Sequence, residues 1–420
     1  MSDNPPGRRP ATTARPGAAG AAGAVGPVVI IGVFGVTLGI TYPLFALMLE
    51  RQGVSGTVVG LNGAMTPLGM VLTAALIPAA VRRWGPWTVM VSASVGTSAI
   101  LSVLALTDSL GLWFVLRFVL GACAVAMFIL SETWISAIAS DANRARLFTA
   151  YTSVLALGFC IGPAVLTVSG NAPGPALTVA VASPLLALWP LCTGRRRVPG
   201  MAASGAVPVG ALARQLSVLL VAVLTVSVFD AVTLQFLPLY GEAAGLTSGQ
   251  AAFALTALLI GQILFQFPLG WLADRLGART ALLLSLLVGA LGALLLPFAV
   301  DGGPGWLYPT VALWGGIAFA GYPLVLTLLG EGLRGTSLLL ANTAFAIVWG
   351  VGGVLGPPYT GAATDWLGVD GMPWSLTALW LVALVVTAGA FAAGRGKAVV
   401  GVGGPGREPV PTDAVAGRDQ

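Results

Sequence analysis

GWLADRLGART, residues 270–280, is a charged turn set between two apolar runs, 251–272 and 281–300, each long enough to cross a bilayer. A link this short makes a tight hairpin on one membrane face. Gly277 supplies the positive-φ position that a reversal needs, and Gly270 is expected to let two helices approach closely. Asp274 is expected to accept hydrogen bonds at a helix N-terminus, with Arg275 and Arg279 turned to helix C-termini. The stretch reads as a charged latch where the membrane meets water.

The rest of the chain has the composition such a turn requires. Of 420 residues, 57% are hydrophobic and 8% charged, against about 25% charged in a soluble domain, which makes this a polytopic membrane protein. Apolar runs recur at 27–49, 57–80, 87–107, 111–137, 149–169, 175–192, 216–239, 251–272, 281–300, 306–329, 338–361 and 373–393. The longest break, 193–215, divides them into six and six. The expected domains are a disordered tail 1–26, a six-helix bundle 27–192, a linker 193–215, a second bundle 216–393 and a disordered tail 394–420.

With the N-terminus inside, eighteen of the 20 Lys and Arg residues fall in cytoplasmic segments; Arg51 lies outside and Arg117 within a span. The bias of basic residues towards the cytoplasm therefore places both termini there, in the plasma (inner) membrane of a bacterial-type cell. The net charge of +5 follows from this bias and calls for no nucleic acid. The three cysteines have no metal or disulfide spacing, and there is no histidine. No metal, no cofactor and no enzymatic nucleophile–base set is expected, and proton chemistry falls to carboxylates.

An internal repeat supports the division. At an offset of 192, Gly53 maps to Gly245, Gly69 to Gly261, Arg83 to Arg275 and Gly85 to Gly277; at 194, Gly158, Gly162 and Pro163 map to Gly352, Gly356 and Pro357. Parallel halves related by an axis along the membrane normal leave such a trace. The first-half latch, Arg82, Arg83 and Gly85, lacks its acid, because Arg82 stands where Asp274 would.

The turn at 270–280 resembles the loop between paired helices of the major facilitator superfamily of transporters. Gly270, Leu272, Ala273, Asp274, Arg275 and Gly277 match its signature, and Arg279 is displaced by one position. RFVLG (117–121) resembles the superfamily's fourth-helix signature. Gly158-x-x-x-Gly162-Pro163 resembles the fifth-helix motif of its drug–proton antiporters, without the Gly pair that usually follows. The segment 117–163 and the later GYPL (321–324), Glu331, LAN (340–342) and GPPYTG (356–361) resemble a bacterial permease branch. Over about residues 27–393 the resemblance implies an all-α membrane fold of twelve transmembrane helices, two six-helix bundles related by pseudo-two-fold symmetry, working by alternating access.

Several residues within spans are candidates for function. Arg117 is expected to face a cavity, the alternative being an arginine that snorkels to the interface. Glu132 lies on the same helix about 22 Å away and about 60° round, too far to pair with Arg117. Leu130 and Trp134 flank it, surroundings that favour a protonated carboxyl; the alternative is a structural acid bound to Arg144 or Arg146. Asp230, deep in span seven, is the second proton-coupling candidate, with helix packing as its rival. Tyr42, Gln235, Gln262, Gln266, Tyr322 and Asn342 are candidates for a central polar cavity or for interhelical hydrogen bonds. Gly158, Gly162, Pro163, Gly352, Gly356 and Pro357 are assigned to helix packing.

These readings converge on a monomeric secondary transporter of a small organic molecule, coupled to protons, with efflux weighed slightly above uptake. The alternatives are uptake by proton symport and a transporter-like protein that senses solute without moving it.

Overall fold

The computed structural model describes residues 16–139, 144–169, 173–193, 216–332 and 336–393, and these are helical throughout, with no strand among them. The first half comprises α1 (Pro16–Arg51), α2 (Gly56–Ala74), α3 (Ile77–Trp84), α4 (Pro86–Leu106), α5 (Leu110–Ile138), α6 (Arg144–Val168), α7 (Pro173–Leu186) and α8 (Leu188–Thr193). The second comprises α9 (Ser217–Ala243), α10 (Ser248–Leu276), α11 (Ala278–Asp301), α12 (Pro304–Phe319), α13 (Gly321–Gly332), α14 (Thr336–Leu367) and α15 (Gly371–Ala392). Among the described residues, eleven stretches are apolar and long enough to cross a membrane, and the last of them, Ala344–Ala392, holds most of α14 and all of α15. The chain therefore makes twelve crossings.

The expected run at 27 begins earlier, because α1 starts at Pro16. Proline tolerates a first helical turn, and the alanine-rich 17–25 continues it. The expected linker and the tails from 1 to 15 and from 394 onward lie outside the described residues.

Three of the expected spans are broken, and in each the break has the same cause. The helices ending at Ala74, Leu186 and Phe319 stop four residues before Pro78, Pro190 and Pro323. Each proline lacks the N–H that would have bonded the carbonyl of that last residue.

The packing repeats as the sequence does. In the first half α1 packs on α6 and α7, α2 on α5, and α4 on α5 and α7; in the second, α9 packs on α14 and α15, α10 on α12, and α11 on α12 and α15. Across the halves α2 meets α14, α6 meets α10, and α1 meets α9. Exchanging the halves turns the first of these contacts into the second and leaves the third unchanged, as a two-fold axis demands. The backbone carries the repeat too: Gly53 and Gly245 take φ of 74° and 92°, and Gly85 and Gly277 take 80° and 83°.

Each half has an aromatic core. Phe229 lies 4.8 Å from Trp314, 5.1 Å from Phe319 and 5.4 Å from Trp380, ring centroid to ring centroid. The backbones of Gly289 and Gly292 lie against Trp380 and Trp314, where a Cβ would collide with either ring. In the first half Phe45 packs on Trp113 at 5.3 Å. The periphery is apolar as well, with Leu72, Val115, Leu264, Phe298 and Val385 exposed, as lipid requires. Trp84, Trp189 and Trp271 are exposed at the end of the bundle carrying Asp274, and Trp306, Trp366 and Trp374 at the end carrying Asp365. They form the two aromatic girdles of a bilayer-spanning protein.

Gly158 and Gly162 bring α6 onto α1, where added Cβ atoms would collide with the backbone of Gly32, Gly35 and Gly39. Gly352 and Gly356 do the same for α14 on α9, against Ser227 and Val228. Gly270 does not behave as expected: a Cβ there would meet nothing within 4 Å, because that face of α10 looks away from its neighbours. Gly162→Ala should therefore destabilise the detergent-solubilised protein by about 1–3 kcal/mol through overpacking. Gly270→Ala should leave it unchanged or raise stability by up to about 1 kcal/mol through helix propensity. Thermal unfolding of the two variants checks both, and equal effects would contradict the packing described.

Candidate functional site

A cluster of polar residues inside the bundle lies beside the place where the two halves meet. Arg117, on α5, is 1% exposed, which rules out snorkelling. Its Nη1 donates to Asn62 Oδ1 at 3.1 Å and its Nε to Thr66 Oγ1 at 3.4 Å, both on α2. Its Cζ stands 5.7 Å from the ring centroid of Tyr42 and 5.4 Å from that of Phe45, both on α1. One guanidinium thus ties together three helices of the first half. Gly69 and Gly121 permit this, because α2 and α5 approach so closely that a Cβ on either would meet the other's backbone.

Tyr42 carries the cluster across the seam, interacting electrostatically with Arg117 in its own half and with Asp230 in the other. Asp230 lies halfway along α9 and is half-buried. Five residues further, Gln235 is fully buried and donates from Nε2 to the Val59 carbonyl of α2 at 2.9 Å. Its amide fills the space a Cβ on Gly63 would take. Asn62 Nδ2 and Gln235 Oε1 are buried with no hydrogen-bond partner, an expensive condition for polar atoms in a low dielectric.

A second polar group lies nearer the Asp274 end. Glu132 is exposed and interacts electrostatically with Tyr151 of its own half and Tyr322 of the other. Ser131 and Tyr151 share a hydrogen bond of 2.9 Å, and Tyr322 packs edge-on against Trp349 at 4.9 Å. Of the other cavity candidates, Gln262 is half-buried on α10. The side chains of Gln266 and Asn342 lie outside the described residues, as do those of Arg144 and Glu331.

The latches differ from expectation. Arg275 stacks on Trp271 with its Cζ 3.8 Å from the ring centroid, Arg83 stands 5.7 Å from Trp84, and Arg279 stands 5.7 Å from Phe391. Asp274 caps no helix in its hairpin: α11 starts from Gly277 with no side-chain cap. Asp274 belongs to the last turn of α10, where side chains lean back towards the N-terminus of their own helix. Arg82, Arg83, Asp274 and Arg275 are all exposed.

Sequence reading missed the partners of Arg117 and the closure at the opposite end. Asn62 was visible as a lone amide in an apolar run. At the closed end Asp365 binds the start of α2, and Arg51 lies 4.0 Å from Glu242 across the halves.

Twelve crossings in two halves with the same packing pattern, with ionisable and amide side chains buried beside the seam, define a membrane transporter. The chain belongs to the Major Facilitator Superfamily, whose family model matches residues 28–349 and, in a second overlapping match, 219–412. That family is one of transporters and not of enzymes. Among relatives, the MFS-type transporter YfkF of Bacillus subtilis (strain 168) is 26% identical over 346 residues, covering 78% of this chain and 85% of that protein. The MFS-type transporter YcaD of Escherichia coli (strain SE11) is 23% identical, covering 59% and 64%. Among solved structures, the nucleoside transporter NupG superposes with a TM-score of 0.70 at 16% identity, over 89% of this chain and 98% of that one. A bacterial homologue of the human lysosomal transporter Spinster, in an inward-facing and unoccupied conformation, superposes at 0.70 with 14% identity, over 90% and 98%. These two likenesses carry the fold alone.

Arg117→Lys keeps the charge but cannot reach Asn62 and Thr66 together. It should lower the unfolding free energy by about 1–3 kcal/mol, and Thr66→Val, which removes one long contact, by less. Thermal unfolding in detergent measures both; a lysine variant as stable as the wild type would show that the fork does not join α5 to α2.

Proposed function

We propose that the chain is a proton-coupled secondary transporter of a small organic solute, working by alternating access, with efflux slightly favoured over uptake. The observation that carries this reading is Asp230, an acid halfway along α9 and half-buried, close enough to Tyr42 of the opposite half to act on it electrostatically. An ionisable group there changes charge as its surroundings alternate between water and protein, and that change biases one packing of the halves over the other. Glu132, exposed nearer the Asp274 end, is the second candidate. The unpartnered amide atoms of Asn62 and Gln235 support a polar ligand that would satisfy both.

The conformation fits one stage of such a cycle. At the Asp365 end the halves are joined by the Asp365, Arg51–Glu242 and Gln235–Val59 contacts, while the latch residues at the opposite end are exposed. Among the described residues, the Asp365 end carries Glu50, Asp108, Glu242, Asp301, Asp365 and Asp370 against Arg51; the other end carries Arg82, Arg83, Arg146, Arg275 and Arg279 against Asp274 and Glu132. The bias of basic residues assigns the Asp274 end to the cytoplasm, so the end joined by Asp365 faces outward in the plasma membrane. One chain contains the whole seam, so a monomer suffices.

The test begins with a thermal-shift screen of organic cations, sugars, amino acids and nucleosides. Accumulation of the selected compound in proteoliposomes is then measured under an imposed pH gradient. Asp230→Asn should abolish accumulation against the gradient while leaving downhill exchange. Glu132→Gln should do so if that acid carries the proton instead. Uphill accumulation that survives both substitutions would overturn the coupling assignment, and the absence of any flux would favour a solute sensor.

A further inference from the structure

The seam is closed at its outer end by a carboxylate seated on the start of a helix from the other half. Asp365 stands at the end of α14. Its Oδ1 accepts the Gly56 N–H at 2.6 Å; its Oδ2 accepts the Thr57 N–H at 2.9 Å and the Thr57 hydroxyl at 2.6 Å. Gly56 and Thr57 open α2, whose first N–H groups have no partner within the helix and whose positive dipole end favours an anion. Ser55 already caps this helix through the Val58 N–H, so Asp365 supplies a second, intermolecular-like cap from another bundle. Two glycines make the seat possible, because a Cβ on Gly361 would collide with the Gly56 carbonyl and one on Gly56 with Thr364.

We propose that Asp365 is the outer bolt of the transport cycle: its bonds to Gly56 and Thr57 hold the outward side shut, and outward opening requires them to be exchanged for water. Among the described residues it makes three hydrogen bonds across the seam at this end, beside the single Gln235–Val59 bond. The Arg51–Glu242 pair is 4.0 Å long with Arg51 largely exposed, and Tyr240 reaches Asp370 at 3.5 Å within its own half. Asp365 also borders a pocket of about 230 Å³ between the halves, lined by Glu50, Val59, Phe236, Tyr240 and Met372. The role is one of positioning: Asp365 sets which packing of the halves is populated, without touching the solute. It rests on the alternating-access reading above.

The test uses the full chain in nanodiscs, with Cys123, Cys160 and Cys192 replaced by serine. Spin labels at Gln52 and Ala244 report the outer end, and labels at Arg83 and Leu276 the inner end. Double electron–electron resonance in the parent should show one short outer distance. Asp365→Asn and Asp365→Ala should add a longer outer component and a matching shorter inner one, while Thr57→Val should give a smaller shift of the same kind. A variant that merely loosens the fold would broaden both pairs without the reciprocal change. Gly361→Trp serves as a wedge that prises α2 from α14 whatever Asp365 does. If the wedge moves the outer pair and the Asp365 variants do not, the bolt is overturned and alternation stands. If neither moves it, alternation itself is overturned.

Discussion

Close approach of bare backbone holds this molecule together. In hydrocarbon, lipid tails are as apolar as leucine, so helices gain little from hydrophobic burial against each other and associate through packing and the polar bonds that packing permits. Along the α2–α14 contact, added Cβ atoms on Gly56, Gly60 and Gly361 would collide with the facing chain, and Gly350 and Gly353 lie against Val71 and Pro67. The contact runs most of the length of α2. The backbone distance it sets allows Gln235 to lie over Gly63 and Asp365 to reach the α2 N-terminus.

A second constraint follows from the first. Polar side chains in such a bundle must find partners or sit where water reaches, and here they are sorted by depth. Arg117 is fully enclosed and ties α1, α2 and α5 into one body. Asp230 and Gln235 belong to the facing body; Gln235 bonds Val59 of the first across the seam, and Asp230 acts electrostatically on Tyr42 there. Each half is thus internally bonded, while the hydrogen bonds described between the halves are few. That arrangement suits two bodies that rock, since few hydrogen bonds across the seam must be exchanged in each stroke.

Much of this was legible before any coordinates. The crossings, the six-plus-six division and the repeat follow from apolar run length and from Gly and Arg at a fixed offset, and Gly53, Gly245, Gly85 and Gly277 take the positive φ that turns at those places need. The proline breaks could also have been read, since each helix stops where the missing N–H would have bonded. What sequence could not supply was the rotation of each helix about its axis. The spans are apolar all round, so no amphipathic stripe marks the inward face. Gly270 and Gly60 look alike as letters, yet one faces open space and the other the Pro357 carbonyl. The 55-residue separation of Arg117 from Asn62, and the 308-residue separation of Asp365 from Thr57, likewise leave no local trace.

The central claim is that the two bodies exchange which end of the seam is open. Val59, 2% exposed at the closed end, tests it most directly as Val59→Cys, in a chain freed of its other cysteines and held in sealed vesicles of known orientation. A membrane-impermeant thiol reagent added on the side carrying Arg51 should label it progressively, faster when a transported solute is present, and the same reagent on the opposite side should label it far more slowly. Complete protection from the Arg51 side, or preferential labelling from the other, would contradict the account.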